Sequence, residues 1–344
     1  MTRNVRDGRL LVIGGKEVDA LLSTQETLDI TDRVLKEFAA GKILNPVKLH
    51  LPVYPDAEGY LNSMPTYHRE NKDTGMKLVS VYRDNGKLFQ VPVTMGTIIL
   101  NDWETGMPYS VVDGTVITAK RTGAAAALKV KYLARKNSKI FTIVGAGAQG
   151  YSAFEMTMTC VGADFFEEVR VSDINNDNIR KFVDAASKAY PNLKFTTYND
   201  NAAAVRGCDV VFFCAGAPLS IIGQCEITDG MLAVIVCDIV TRDVLKQFDK
   251  FYTDFTECVM ERFNVMGRNA AAANGWVFED LTPDLVTSQV GNVMNGTIPG
   301  RESDREKIIT VDCGIGAEDV GCASYVYQKA IEQGKGTFVD FTNL

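Results

Sequence analysis

Apolar and polar positions follow two rhythms along the chain. In the first third, the run LLVIGG (10–15) reads as a short strand. Ser23-Thr-Gln-Glu26 then matches a capping box opening a helix over LDITDRVLKEFAAG (28–41). After Pro46 come short Val-, Ile- and Tyr-containing segments, VKLHLPVY, MKLVSVYRD, TMGTIILND and PYSVVDG, separated by Gly, Asn, Asp and Pro. That spacing predicts a mainly antiparallel sheet. The stretch TAKRTGAAAALKVKYLARKN (118–137) is helical by its Ala, Leu, Lys and Arg content.

From Lys139 the rhythm changes to strands alternating with helices. KIFTIVG, EEVRVSDI, LKFTTYN, DVVFFCAG, MLAVIVCD, KFYTDF and IITVDCGIG are strand-like. AQGYSAFEMTMTCVGA, NNDNIRKFVDAASKAY and AAAVRG lie between them as helices. Near-continuous apolar strands alternating with helices predict a parallel, doubly wound sheet with both faces covered. The final stretch, AEDVGCASYVYQKAIEQG, is an amphipathic helix able to return onto the first domain.

At 344 residues the chain is long enough for about two domains. Its 46% hydrophobic and 23% charged residues are those of a folded protein. A net charge of -7 argues against an electrostatic grip on nucleic acid. No apolar run approaches the length of a membrane span, and MTRNVRDGRLLVIGG has too short an apolar stretch for a secretory signal. The 8 cysteines are scattered without a CxxC pair, which reads as reduced core thiols of a cytoplasmic protein. With only His50 and His68 as histidines, a His-rich metal centre is excluded, and acid–base chemistry falls to Asp, Glu or Lys.

Gly145-Ala146-Gly147-Ala148-Gln149-Gly150 is a GxGxxG motif between a predicted strand and a predicted helix. Glycines there permit a tight turn and close approach of backbone N–H groups to a pyrophosphate, beside the positive end of a helix. The next strand ends at Asp173, the expected distance on for a carboxylate holding adenosine ribose hydroxyls. An acid at that point repels a 2′-phosphate, so NAD is expected over NADP. The fold class expected is therefore α/β, a Rossmann-type doubly wound parallel sheet joined to an α+β domain.

Several segments together resemble the ornithine cyclodeaminase/mu-crystallin family: Met64-Pro65, GMKLVSV with Lys77, DGTVITAKRTGAAAALKVKYLA, VGAGAQG, Cys237-Asp238 and VDCGIGAEDVGCASYVYQKA. The resemblance spans almost the whole chain. It implies a substrate-binding and dimerisation domain over 1–121 with 318–344, a dinucleotide-binding domain over 122–317, and a homodimer. It also implies that Lys48, Met64, Lys77 and Arg121 meet the substrate, and that Thr122 joins Gly145, Gly147, Ala148, Gln149 and Asp173 at the cofactor. Physically, the planar guanidinium of Arg121 suits a bidentate grip on an α-carboxylate. Lys77, in an apolar strand, would have its pKa lowered by desolvation and could act as a base, although an outward-facing strand lysine reads the same way. Asp238, at the carboxyl edge of the second sheet, is the other catalytic candidate, and it could equally cap the helix that follows.

Two departures from the family pattern bear on the substrate. Lys48 stands where many members carry an arginine, keeping charge without the fork. Asn62 stands where cyclodeaminases carry a glutamate suited to a distal amine. The YHRENKDTG loop is longer than usual and is expected to bring His68, Arg69 and Glu70 near the pocket. The expected function is NAD-dependent hydride transfer at the α-carbon of a small L-amino or imino acid, by an amino-acid dehydrogenase or imine reductase. The alternatives are an ornithine cyclodeaminase-type lyase using NAD catalytically and a non-catalytic, mu-crystallin-like binding protein.

Overall fold

A computed structural model of the chain describes residues 8–54, 56–216 and 220–341. Residues 1–7 of the N-terminal segment considered above lie outside the described residues. Along the first third run β1 (Arg9–Ile13), α1 (Gly15–Leu21), α2 (Thr24–Ala39), β2 (Ile43–Leu44), β3 (Leu49–Pro52), β4 (Gly59–His68), β5 (Thr74–Tyr82), α3 (Asn85–Leu88), β6 (Thr94–Asn101), β7 (Pro108–Asp113) and α4 (Gly114–Leu133). Then come β8 (Ile140–Val144), α5 (Ala148–Val161), β9 (Glu168–Ser172), α6 (Asn176–Ala189), β10 (Lys194–Tyr198), α7 (Asn201–Val205), β11 (Val210–Phe213) and β12 (Leu232–Ile235). They are followed by α8 (Arg242–Leu245), β13 (Lys250–Thr253), α9 (Thr256–Asn274), β14 (Ser288–Gln289), α10 (Val290–Met294), β15 (Ile308–Val311), α11 (Gly316–Gln333) and β16 (Thr337–Asp340). The chain divides into two compact units, one running to Arg121 and resuming at Ile315, the other spanning Thr122–Gly314.

The first unit is built on a sheet in the order β16-β1-β7-β6-β5-β4-β2, with β3 also on β4. β4 to β7 pair antiparallel, as their spacing predicts, whereas β1 joins β7 in parallel and the C-terminal β16 closes the edge of β1. Alternation along β5 turns Gly75, Lys77 and Val79 to the buried face and Met76 and Leu78 outward. α2 and α11 pack on one another and α11 crosses β4, β5 and β6. The expected capping box at α2 is present, with Ser23 Oγ accepting from Glu26 N–H while Glu26 accepts from Ser23 N–H.

Met64-Pro65 lies inside β4, the strand before the one that carries Lys77. Proline is tolerated there because β3 pairs with Tyr60–Ser63 and β2 with Tyr67–His68, leaving Pro65 between the two partners on that edge. The loop after β4 is a hairpin connection. Its Glu70 pairs with Lys42 at 2.6 Å, and the His68 ring is buried at the end of β4, 3.6 Å from where a Cβ on Gly321 of α11 would sit.

The second unit is a wholly parallel sheet in the order β10-β9-β8-β11-β12-β15-β13-β14. The order reverses direction at β8, where the glycine motif follows. Its central strands β11, β12 and β15 are entirely buried, as expected where both faces of a parallel sheet are covered, whereas the edge strand β10 carries exposed polar residues. α9 is the main element that the apolar rhythm did not predict. Asn264, Gly267 and Asn269 are weak helix formers, and Gly267 is fixed by packing: a Cβ there would run into the ring of Phe278. Among the described residues, no helix is long and apolar enough to cross a membrane.

Candidate active site

In the first unit the polar candidates converge on the buried face of β5. Lys77 is fully buried, with its Nζ 2.6 Å from Asp319 Oδ2 and donating to Thr118 Oγ1 at 3.3 Å. Arg121, on α4, donates from Nε to Asp319 Oδ1 at 3.0 Å and from Nη1 to Glu318 Oε2 at 3.1 Å. Met64 is buried directly opposite Lys77 in the β4–β5 register. Lys48, half-buried ahead of β3, is close enough for its charge to act on Lys77. Burial drives the Lys77 amine down to about 7, the Arg121 and Lys48 charges push the same way, and Asp319 opposes them. An amine tuned to neutrality can hold or release a proton at working pH. Among the described residues the cluster sets Lys48, Lys77 and Arg121 beside Glu318 and Asp319, so with Lys77 protonated it favours an anionic partner such as a carboxylate.

Glu318 and Asp319 were quoted in the sequence motif without being singled out. Adjacent acids in the first turn of a helix ordinarily read as solvated groups favoured by the helix dipole. The available signal is that Val, Gly, Cys and Ala follow them directly, so the turns around Glu318 and Asp319 are apolar. Removing one partner of such a buried pair costs about 3–5 kcal/mol. Asn62, also on the buried face, is tied to His50, with His50 Nδ1 and Asn62 Oδ1 2.8 Å apart.

In the second unit the glycine motif folds into a strand–turn–helix. Gly145 adopts φ +101°, and a Cβ there would lie 2.7 Å from Ala215 N, so only glycine fits. Among the described residues nothing lies within 4 Å of where a Cβ on Gly147 would be, and none supplies a side-chain acceptor for the first-turn N–H groups of α5, which begins at Ala148. Gln149 Nε2 is a buried donor without a hydrogen-bond partner among the described residues. Asp173, directly after β9, accepts from Ala146 N–H and from Asn175 N–H, both at 2.8 Å. Thr122 is half-buried and precedes Gly123, where a Cβ would be 2.8 Å from the Ser152 carbonyl of α5, so α4 and α5 meet closely. Uncapped amides, an orphaned amide donor and a flanking carboxylate fit a dinucleotide pyrophosphate and its ribose.

Asp238 stands three residues beyond the end of β12 at its carboxyl edge, rather than within the strand. Its carboxylate accepts from Ile221 N–H at 3.0 Å, Ile222 N–H at 2.8 Å and Ile239 N–H at 2.8 Å. Burial raises its pKa to about 6 against the pull of those three donors. It does not cap the following helix: Thr241 does so, accepting from Val244 N–H. The capping alternative for Asp238 is thereby corrected, because the carboxylate is spent on the 221–222 turn. Among the described residues no group of His, Cys, Asp and Glu could hold a metal ion.

A parallel nucleotide-type sheet with a glycine turn, accompanied by a second unit holding a buried lysine–arginine–carboxylate cluster, defines a two-unit α/β protein of dinucleotide-dependent type. The chain belongs to the ornithine cyclodeaminase/mu-crystallin family, whose model matches residues 11–334. It is 28% identical to the alanine dehydrogenase of Archaeoglobus fulgidus, covering 96% of this chain and 98% of the relative. It is 27% identical to the N-((2S)-2-amino-2-carboxyethyl)-L-glutamate dehydrogenase of Staphylococcus aureus, covering 91% and 93%. The delta(1)-pyrroline-2-carboxylate reductase of Thermococcus litoralis, solved with NADH and L-proline, superposes with a TM-score of 0.83 at 27% identity over 95% of this chain and 99% of its own.

Proposed function

We propose that the protein is an NAD-dependent oxidoreductase acting at the α-carbon of a small L-amino or imino acid, an amino-acid dehydrogenase or imine reductase. The observation that carries the reading is Lys77, completely buried between Arg121 and Asp319 and held near neutrality. In this reading Arg121 and Lys48 bind the substrate carboxylate, and Met64 packs against the substrate from the facing strand. Neutral Lys77 takes a proton from the substrate nitrogen in the oxidative direction and returns one in the reductive direction. Asp238 holds a proton or a water at the imine carbon. Gly145, Gly147, Ala148, Gln149, Thr122 and Asp173 hold the cofactor, and bound NAD supplies the hydride acceptor. Asn62, tied to His50, offers no carboxylate to a distal ammonium, which favours this reading over cyclodeamination.

We assign the first unit to substrate and dimer contacts and the second to the cofactor. The homodimer reading is supported by the outward face of the first sheet, where Leu78 and Met95 are exposed together with Leu49 and Leu51 of the adjoining edge strand. A cytoplasmic setting agrees with 8 thiols and no disulfide framework in the sequence.

The test is a panel of L-amino acids with NAD and of cyclic and open-chain imino acids with NADH, following cofactor absorbance and ammonia separately. Cofactor turnover with any member supports the oxidoreductase. Ammonia release without net cofactor change indicates a cyclodeaminase, and binding without either indicates a binding protein.

A further inference from the structure

The two functional groups of the first unit share one carboxylate. Asp319 is completely buried, with Oδ2 2.6 Å from Lys77 Nζ and Oδ1 accepting from Arg121 Nε at 3.0 Å. Its place is fixed from several sides. α11 opens at Gly316, where any Cβ would collide with the Met64 carbonyl, and Glu318 closes a capping box onto Ile315 N–H at 3.3 Å while also holding Arg121. Around Lys77 the charged and polar groups are Asp319 from α11, Arg121 and Thr118 from α4, and Lys48 from the segment before β3.

We propose that Asp319 is a positioning residue: one rigid carboxylate carries both the proton-transferring amine and the carboxylate-gripping guanidinium, so that a charge bound at Arg121 is felt at Lys77. The inference rests on the reading of Lys77 and Arg121 given above. Before substrate binds, the Arg121 cation opposes a proton on Lys77, and Asp319 favours it. A substrate carboxylate neutralises Arg121, removes that opposition, and prepares Lys77 to receive the proton that the substrate nitrogen loses. Binding and proton transfer are thereby coupled through one ion pair and one hydrogen bond to a single side chain. No direct contact between Lys77 and the substrate carboxylate is required.

The test is to titrate Lys77 itself, through the NMR resonance of isotope-labelled lysine Cε, assigned by its loss in Lys77→Gln, in the folded protein without substrate. Asp319→Asn should lower the Lys77 midpoint by about one pH unit or more, because the ion pair that favours the charged form is gone. Asp319→Glu should restore part of it. A folded Asp319→Asn variant with an unmoved midpoint overturns the inference. In turnover, the acidic limb of kcat/KM should move down with the midpoint while KM rises through the loosened Arg121. If the midpoint moves and the limb does not, Asp319 still positions Lys77, and the reading of Lys77 as the proton-transfer group is what fails. If Asp319→Asn does not fold, Arg121→Gln is measured instead: the midpoint must rise, and a fall or no change overturns the inference.

Discussion

Met64 and Lys77 face each other across the β4–β5 ladder, and the Met64 carbonyl closes directly on Gly316, the first residue of α11. Glycine at 316 is therefore a packing requirement that sets how deeply α11 seats and where Glu318 and Asp319 arrive. Gly316→Ala should force the helix off β4 and cost about 1–3 kcal/mol of stability, the usual penalty of overpacking. Urea unfolding measures it, and substrate KM should rise with it. A variant as stable as the parent would show that α11 yields at this point without consequence.

Legibility in the sequence followed the strength of local signals. The parallel sheet was readable because buried strands such as 210–213 and 232–235 are apolar at every position, and the glycine turn because its φ and close contacts admit nothing else. β15 inserts between β12 and β13, an order no local pattern encodes. α9 was missed because weak helix formers sit where its packing against Phe278 and Leu281 supplies the stability instead. The site shows the same division. Lys77 and Arg121 stood out as charges in apolar or family-matched surroundings. Asp319, distant from Lys77 in sequence, becomes visible only once α11 crosses the first sheet.

Asp173 takes the Ala146 N–H in the glycine turn as well as facing the cofactor's ribose in our reading. Asp173→Ser should therefore weaken NAD binding by about tenfold, roughly 1.4 kcal/mol, through a looser turn and a lost ribose partner. NADP, no longer meeting a carboxylate, should lose less or gain. Fluorescence titration of both cofactors reads the ratio. Parent preference for NADP, or an unchanged ratio in the variant, removes Asp173 from cofactor selection.

His68 gives the fold an acid sensitivity with a defined sign. Burial first, and the Arg33 charge second, depress its pKa from 6.5 to about 4, against a backbone hydrogen bond with Ala317 that raises it. The unfolded chain thus binds a proton that the folded chain refuses between those two values. Stability should be independent of this group above pH 6.5 and fall as pH drops towards 4, by up to roughly 3 kcal/mol. His68→Gln cannot titrate, so the difference between its urea midpoints and the parent's, followed against pH, isolates the effect. Parallel curves for the two proteins across that window would mean that His68 protonates in place.

Asp238 separates chemistry from architecture less cleanly than an isolated carboxylate would. Both its oxygens are engaged by the N–H groups of Ile221, Ile222 and Ile239, so asparagine can satisfy only the side offering its carbonyl and turns an NH2 group against a donor on the other. Asp238→Asn should cost about 1–3 kcal/mol of stability from that unsatisfied pair alone. If the carboxylate also moves protons at the imine, turnover at the parent's pH optimum should fall by about 10²–10⁴-fold, with cofactor affinity retained. Its burial-raised pKa of about 6 adds a second mark: a limb in the parent's pH–rate profile near that value should be absent from the variant. Loss of stability with turnover intact identifies Asp238 as the anchor of the 221–222 turn, and proton transfer then falls to Lys77 alone. Loss of both, with the limb removed, assigns it the two roles together.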